Sequence, residues 1–299
     1  MFLADELDGE VVNCDSIQVY RGLDIGSAKL PVEGRTGIPH HLIDLIEPDE
    51  ELTAGAYSRL ARRTLDDIRK RAKVPIVAGG TGFYLRALLD GLSPAPGRNE
   101  DLRKRLVDLS RRRSGALHRF LRVRDPGSAA RIHSNDHQKL VRAIELSLTG
   151  GRPASEIQSR PRDPLCGFVV LKLGLQPART ELYRKLDERS EAMFYSGLLE
   201  ETRALLASGR SPDCKALQSL GYKQAVQVLK GDLTREAGIR EAQTKTRQYA
   251  KRQMTWFRTE ASVHWLRGFG KDVHIRSEAL QLTLNFTAAY RKSFNSKTN

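Results

Sequence analysis

Cysteine is scarce in this chain: three in 299 residues, at Cys14, Cys166 and Cys214. They stand far apart with no metal-ligand spacing. That excludes a disulfide-stapled scaffold and a cysteine zinc site, and fits isolated thiols in a reducing cytoplasm. Long apolar runs are also missing; none reaches the ~18 residues a membrane-spanning helix needs. The amino terminus carries Asp5, Glu6 and Asp8 and lacks the basic-then-apolar pattern of a secretion signal. There are no internal repeats. A cytoplasmic, membrane-free protein is expected, long enough to bury a sizeable core in one or two domains.

What the chain has in excess is positive charge. Lysine and arginine total 50 against 36 acidic residues, for a net charge of +14. Such a balance suits a polyanionic partner whose counterions are released on binding. Merely basic enzymes also reach this range, so charge alone does not decide the partner.

Short apolar runs alternate with helical patterns, which predicts a parallel sheet with crossover helices. Strands are expected at 10–13, 41–46, 74–78, 168–174 and 263–266. A helix is expected over 54–72, apolar at Ala54, Tyr57, Leu60, Ala61, Leu65 and Ile68. The Ser93-Pro94-Ala95-Pro96-Gly97 stretch breaks the pattern. An arginine-rich helical segment follows to about Pro164, read as an insertion at 98–165 between a first core part, 1–97, and a second, 166–292. The second part returns with the strand at 168 and carries long helices over 179–208, 216–230 and 234–258. Residues 293–299 are expected to be a disordered tail.

The most informative block is Asp15-Ser16-Ile17-Gln18-Val19-Tyr20-Arg21-Gly22-Leu23-Asp24-Ile25-Gly26-Ser27-Ala28-Lys29. It follows Val11-Val12, so Asp15 and Ser16 fall at the carboxyl end of a buried strand, the edge at which open α/β sheets bind ligands. From residue types alone, Asp15 is either a functional carboxylate or a cap for the next turn, where Asp and Ser are common. Gly79-Gly80-Thr81-Gly82 follows another apolar run. It is either an anion-approaching loop or a plain strand-to-helix turn, and Tyr84 beyond it reads as core packing. Asn135 and Asp136 look like helix-start residues. His133 and His137 lack a third ligand to make a metal site. Lys245, Arg247, Lys251, Arg252 and Arg258 share one helix with Tyr249, Trp256 and Phe257, which suits a phosphate backbone with unstacked bases or, more blandly, a helix with its aromatics inside.

Six blocks in order, those at Asp15, Pro39-His40-His41-Leu42-Ile43-Asp44, Gly79, Gln138-Lys139-Leu140-Val141-Arg142, Gly221-Tyr222-Lys223-Gln224 and Lys251-Arg252-Gln253-Met254-Thr255-Trp256, resemble the signatures of bacterial-type tRNA dimethylallyltransferases. The resemblance implies a P-loop NTPase-like α/β fold, a parallel sheet core carrying an inserted helical tRNA-binding domain. It implies transfer of a dimethylallyl group from dimethylallyl diphosphate to N6 of the adenosine next to the anticodon, with Mg²⁺ neutralising the departing diphosphate. Asp15 would accept the proton of the exocyclic amine, and Thr81 would donate to the bridging oxygen of the diphosphate. Ser16, Ile17 and Gln18 would face the substrate, and Arg103 and Arg189 would bind diphosphate through planar guanidinium forks. Arg203 is a weaker competitor to Arg189. Gln138, Lys139, Leu140, Val141, Arg142, Lys251, Arg252 and Arg258 would contact the anticodon stem-loop. A monomer is expected, its two lobes embracing that stem-loop.

One departure stands at the start. The family opens with a strand and a G-x-x-x-x-G-K-[ST] phosphate loop, about twenty residues before its Asp-Ser pair. Here fourteen residues precede Asp15 and none forms that loop. Glycines and a lysine do occur between Gly22 and Lys29, but at the wrong spacing. Either the true start lies upstream or this is a truncated form, and residues 1–299 alone are expected to show little transferase activity. Rival readings are an inactive tRNA-binding remnant, a prenyltransferase of free adenine nucleotides and, more distantly, a P-loop kinase. The basic insertion argues against the second, and no lid motif supports the third.

Overall fold

The computed structural model describes the backbone of residues 1–295 and the side chains of residues 1–290. The chain divides into two compact units. One is Met1–Leu88 together with the chain from Cys166 onward; the other is Leu89–Leu165. The second unit begins at Leu89 rather than at 98, because its two ends are tied together. Leu165 N–H donates to the Leu89 carbonyl at 2.8 Å, and Ser93 Oγ donates to the carbonyls of Gln158 and Arg160.

The first unit opens with helix α1 (Phe2–Glu6) and strand β1 (Gly9–Asn13), fully buried along its length. Strands β2 (His40–His41) and β3 (Val74–Ala78) flank β1 in the order β2-β1-β3, all parallel. Helix α2 (Ala54–Lys70) makes the crossover from β2 to β3, and α3 (Gly82–Leu89) follows β3. Thr53 caps it by accepting from Ala56 N–H, and Ala54, Tyr57, Ala61, Leu65 and Ile68 bury one face at helical spacing. Leu60 falls off that face and is exposed.

The strand expected over 41–46 is two residues long. Leu42 and Asp44 adopt positive φ of 60° and 54°, which turns the chain out of the ladder. Only an isolated bridge, Tyr20 to Ile46, continues the pairing. Likewise the strand expected over 168–174 is confined to β4 (Lys172–Leu175), which pairs with β5 (Val263–Leu266) in a separate two-stranded parallel sheet.

Between β4 and β5 lie α9 (Arg179–Tyr195), α10 (Leu198–Ala207), α11 (Tyr222–Leu229) and α12 (Arg235–Phe257). The single helix expected over 179–208 breaks at Gly197, whose φ of 107° no L side chain adopts readily. The helix expected from 216 starts only at Tyr222, after a series of turns. A last helix, α13 (Val273–Asn295), packs Ile275 and Ala279 against Leu266 of β5. Residues 293–295 are therefore helical rather than a disordered tail; the rest of that tail, 296–299, lies outside the described residues. Among the described residues no helix is long and apolar enough to cross a membrane.

The second unit is all helix: α4 (Glu100–Arg112), α5 (Ala116–Arg124), α6 (Pro126–Arg131), α7 (His137–Gly150) and α8 (Ala154–Gln158). Its core is aliphatic, built on Leu106, Leu117, Leu121, Leu140, Ile144 and Ile157. Asn99 caps α4, Asp125 caps α6 and Asp136 caps α7, each accepting from a backbone N–H of the first turn.

Candidate active site

Strand β1 delivers Asp15 to the carboxyl edge of the sheet. Its Oδ1 accepts from Ile17 N–H at 2.7 Å and from Gln18 N–H at 3.3 Å. Its Oδ2 has no partner among the described residues. The cap and the functional carboxylate are thus compatible: one oxygen holds the turn and the other is open.

The loop after β3 crosses close to this turn. Thr81 N–H donates to the Cys14 carbonyl at 3.1 Å. Thr81 Oγ1 accepts from Ser16 N–H at 3.0 Å and lies 3.3 Å from Ser16 Oγ. The glycines here answer to packing. A Cβ on Gly79 would strike the Cys14 backbone, one on Gly80 the Gln253 amide, and one on Gly82 the Trp256 ring. Their smallness admits the protein's own chain as closely as it would admit an anion. Tyr84 is core, stacked on Tyr57 with ring centroids 4.2 Å apart.

Helix α12 lies along this loop with Tyr249, Gln253 and Trp256 at i, i+4 and i+7. Gln253 Nε2 donates to the Gly80 carbonyl at 2.9 Å. Burial pushes the Tyr249 hydroxyl pKa up, and the nearby Asp15 carboxylate adds to this while Arg252 opposes it. Arg189, on α9, lies near enough to Asp15 to feel its charge. Its side chain keeps contact with water, yet enough protein surrounds the guanidinium to lower its pKa, an effect the Asp15 charge opposes. Arg189 has no hydrogen bond or ion pair among the described residues, so neither Glu188 nor another neighbour on its helix neutralises it. Arg203 pairs with Glu200 on the surface. Asp15, Ser16, Thr81, Arg189 and Tyr249 thus lie around one point, with one open carboxylate oxygen, three hydroxyls and a guanidinium without an ion pair among the described residues.

Gln18 sits just behind. Its Nε2 donates to the Ser27 carbonyl at 3.1 Å, which ties the Asp15 turn to the loop that follows. That loop wraps a carboxylate: Glu201 Oε2 accepts from Asp24 and Ile25 N–H, and Glu201 Oε1 from Tyr222 Oη at 2.5 Å. Tyr222 Oη is also 3.1 Å from Gly26 N. The Gly221 block is therefore a brace for the Asp15 block, with Tyr222 fully buried. The glycines and lysine of this loop serve packing too. A Cβ on Gly26 would lie 2.5 Å from the Tyr222 ring, and Lys29 is buried against Asp44, Asp24 and the Tyr20 carbonyl.

The remaining candidates divide by exposure. Gln138 and Lys139 are exposed on α7, Lys139 beside Asp136. Leu140 and Val141 are corrected: they are 1 % and 3 % exposed and belong to the helical core, so they offer no surface to a partner. Arg103 and Arg142 both turn to Glu145, which is fully buried, at 3.5 and 2.7 Å. Lys251, Arg252 and Arg258 are exposed on and just beyond α12 and have no ion pair among the described residues. Lys251, Arg252, Trp256 and Arg86 line an open groove of about 600 Å³, with the Arg86 guanidinium 4.5 Å from the Trp256 ring centre.

Among the described residues no group of three or more His, Cys, Asp or Glu could hold a metal. The Ser16 hydroxyl beside the Asp15 carboxylate would nevertheless suit Mg²⁺ in the form that takes most of its ligands from substrate phosphate and water. Sequence reasoning missed Asn13, Tyr249 and Gln253 as parts of this site. Asn13 carried a signal, being a polar residue inside a strand expected to be buried. Tyr249, Gln253 and Trp256 carried a helical spacing but nothing to say which face it served.

Residues 18–260 match the IPP transferase family model. A tRNA dimethylallyltransferase of Solibacter usitatus is 53% identical over 96% of this chain and 93% of its own length. One of Geobacter sulfurreducens is 43% identical, covering 88% of this chain and 85% of its own. Among solved structures, a full-length tRNA isopentenylpyrophosphate transferase of Bacillus halodurans superposes with a TM-score of 0.69 at 33% identity, over 98% of this chain and 92% of that one. A eukaryotic dimethylallyltransferase acting on tRNA superposes with a TM-score of 0.79 at 28% identity, over 96% and 75%.

Proposed function

The chain belongs to the IPP transferase family, and from that premise we propose that it transfers a dimethylallyl group from dimethylallyl diphosphate to N6 of the adenosine next to the tRNA anticodon. The observation that carries this reading is the open Oδ2 of Asp15, set on a turn whose other contacts hold Asp15 rigid, with Arg189 unpaired beside it. A proton acceptor and an anion receptor meet at one point, which is what amine prenylation by a diphosphate ester requires.

The target base leaves the loop stack and enters beside Asp15, at lower cost than flipping from a duplex. The N6 lone pair attacks C1 of the allylic chain as the C1–O bond breaks. Diphosphate departs with that electron pair, and Asp15 takes the N6 proton, so the products are the alkylated adenosine, diphosphate and a proton. Thr81 donates its hydroxyl to the bridging oxygen, and Arg189 receives the non-bridging oxygens through its planar fork. Mg²⁺, when bound with the diphosphate, neutralises its charge, with the Ser16 hydroxyl available as a protein ligand. Gln18 braces the turn from behind, through the Ser27 carbonyl. Exposed Gln138 and Lys139, with Lys251, Arg252 and Arg258, contact the RNA, chiefly its phosphates.

The enzyme acts as a monomer in the cytoplasm. A free adenine nucleotide is the less suitable acceptor, because a small substrate has no use for the unpaired cations of α12. The test is direct. In a form extended at its amino terminus by the family's phosphate loop, the protein, dimethylallyl diphosphate and an unmodified anticodon stem-loop should give a product one dimethylallyl group heavier, with the gain on the target adenosine, and residues 1–299 alone should give much less. Equal transfer to free adenosine monophosphate would overturn the RNA reading.

A further inference from the structure

β1 is buried at every position, yet it ends in an amide side chain, Asn13, at 3 % exposure. A polar group in such a place is costly unless its hydrogen bonds are made. Here they are. Asn13 Oδ1 accepts from Asp15 N–H at 3.0 Å. Its Nδ2 donates to the Asp15 carbonyl at 3.1 Å and to the Leu42 carbonyl at 2.9 Å. The Asn13 backbone carbonyl is held in turn by Tyr57 Oη at 2.9 Å. One side chain therefore grips both polar groups of the Asp15 backbone and anchors them to Leu42, itself a buried residue at positive φ.

We propose that Asn13 is a positioning residue for the transfer step, fixing the Asp15 backbone so that Oδ1 stays bonded to the turn and Oδ2 stays directed at the substrate. The proposal rests on the reading of Asp15 as proton acceptor. Its physical content is that no other side chain among the described residues holds the Asp15 backbone. The Ser16 N–H goes to Thr81 and the Ile17 N–H to Asp15 itself. Without Asn13 the Asp15 N–H and carbonyl lose their partners together with the Leu42 carbonyl. An apolar residue of similar size would keep the strand and free the carboxylate to wander. A shift of about 1 Å at a reacting group typically costs up to a hundredfold in rate.

The test is a double-mutant cycle on the single-turnover rate with a saturating stem-loop, supported by amide hydrogen exchange. Asn13→Ala should slow the chemical step about tenfold or more while stem-loop affinity stays within about twofold. Asn13→Ser, which keeps an acceptor for the Asp15 N–H, should recover part of the rate and also serves if the alanine variant fails to fold. In an Asp15→Asn background either Asn13 substitution should cost almost nothing further, because the group it positions no longer takes a proton. Exchange at the Ile17 and Gln18 amides should accelerate in Asn13→Ala while the amides of β3 stay protected. An equal rate loss in both backgrounds, or unchanged exchange at Ile17, would show that Asn13 supports the fold only and would overturn the proposal. If Asp15→Asn alone kept the full rate, the role of Asp15 would fall first, a result distinct from additivity.

Discussion

The α/β unit and the helical unit use their polar side chains in opposite ways. Around Asp15, side chains reach backbone atoms far away in sequence: Tyr57 to Asn13, Glu201 to Asp24 and Ile25, Gln253 to Gly80. In the helical unit, Asn99, Asp125 and Asp136 cap their own helices, and Asp125 and Glu145 also tie helix to helix through Ser155 and Asn99 N–H. Arg105, Arg119 and Arg122 stand with no ion pair among the described residues. Bond-making chemistry requires one geometry held against thermal motion, and the long-range contacts around Asp15 would give the proposed transfer that geometry. Phosphate contact needs mainly unneutralised charge within reach, and surface arginines on short capped helices supply it.

The sharpest way to break this contrast is Asp15→Asn. The amide keeps the turn but takes no proton. The single-turnover rate should fall about a hundredfold or more with stem-loop affinity within about twofold. A change in affinity without a change in rate would move Asp15 from the chemistry to the binding surface.

Acid should separate the units next. Burial pushes the Asp125 carboxyl up, but hydrogen bonds from Ser128 and Ser155 outweigh it and leave the pKa at about 2, against an ordinary 3.8. Because the folded value is depressed, the group stabilises the native state above about pH 4, and that stability, about 2 kcal/mol, is lost as pH falls toward 2. Asp125→Asn should flatten the acid limb of helical-unit unfolding, read by amide exchange on α6 and α8.

A smaller pair sharpens the charge argument. Arg252→Ala removes an unpaired cation and should lower the salt slope of stem-loop binding by roughly one unit or less, with no loss of melting temperature. Arg142→Ala, though equally an arginine, withdraws one of the two cationic partners of buried Glu145, which also accepts from Asn99 N–H. It should lower the melting temperature by several degrees and change the salt slope less. Should both variants behave alike, the division between structural and binding arginines fails. The smallest effect is expected at Lys73→Ala. Lys73 is bonded to Asp8 at the far end of β3 from Thr81, so salt slope and affinity should both stay put.

Much of the fold was legible along the chain. β3 and β5 fall where their apolar runs predict, and α2 begins at Ala54, just after its cap Thr53. The failures share one cause, backbone conformations that no hydrophobic pattern encodes. Positive φ at Leu42 and Asp44 ends a strand that its apolar residues would extend, and Gly197 cuts one helix into two. The strand ends that carry Asp15 and Thr81 were legible from the apolar runs before them, and the structure brings the two turns together at one sheet edge. Leu140 and Val141 were misplaced because a motif read as a string contains its buried residues as well as its exposed ones.

By itself, then, the sequence determined which side chains could do chemistry, the parallel α/β character of the core and the excess of positive charge, because composition, spacing and local periodicity are properties of the chain. Tertiary structure alone decided which of those side chains act together. Arg189, Tyr249 and Gln253 lie some 170 to 240 residues from Asp15, and only the packing of α9 and α12 makes them its neighbours. Whether an arginine is free or spent on a buried glutamate, and whether a glycine admits an anion or the chain's own Trp256, depends on contacts between segments distant in sequence, which no local pattern specifies.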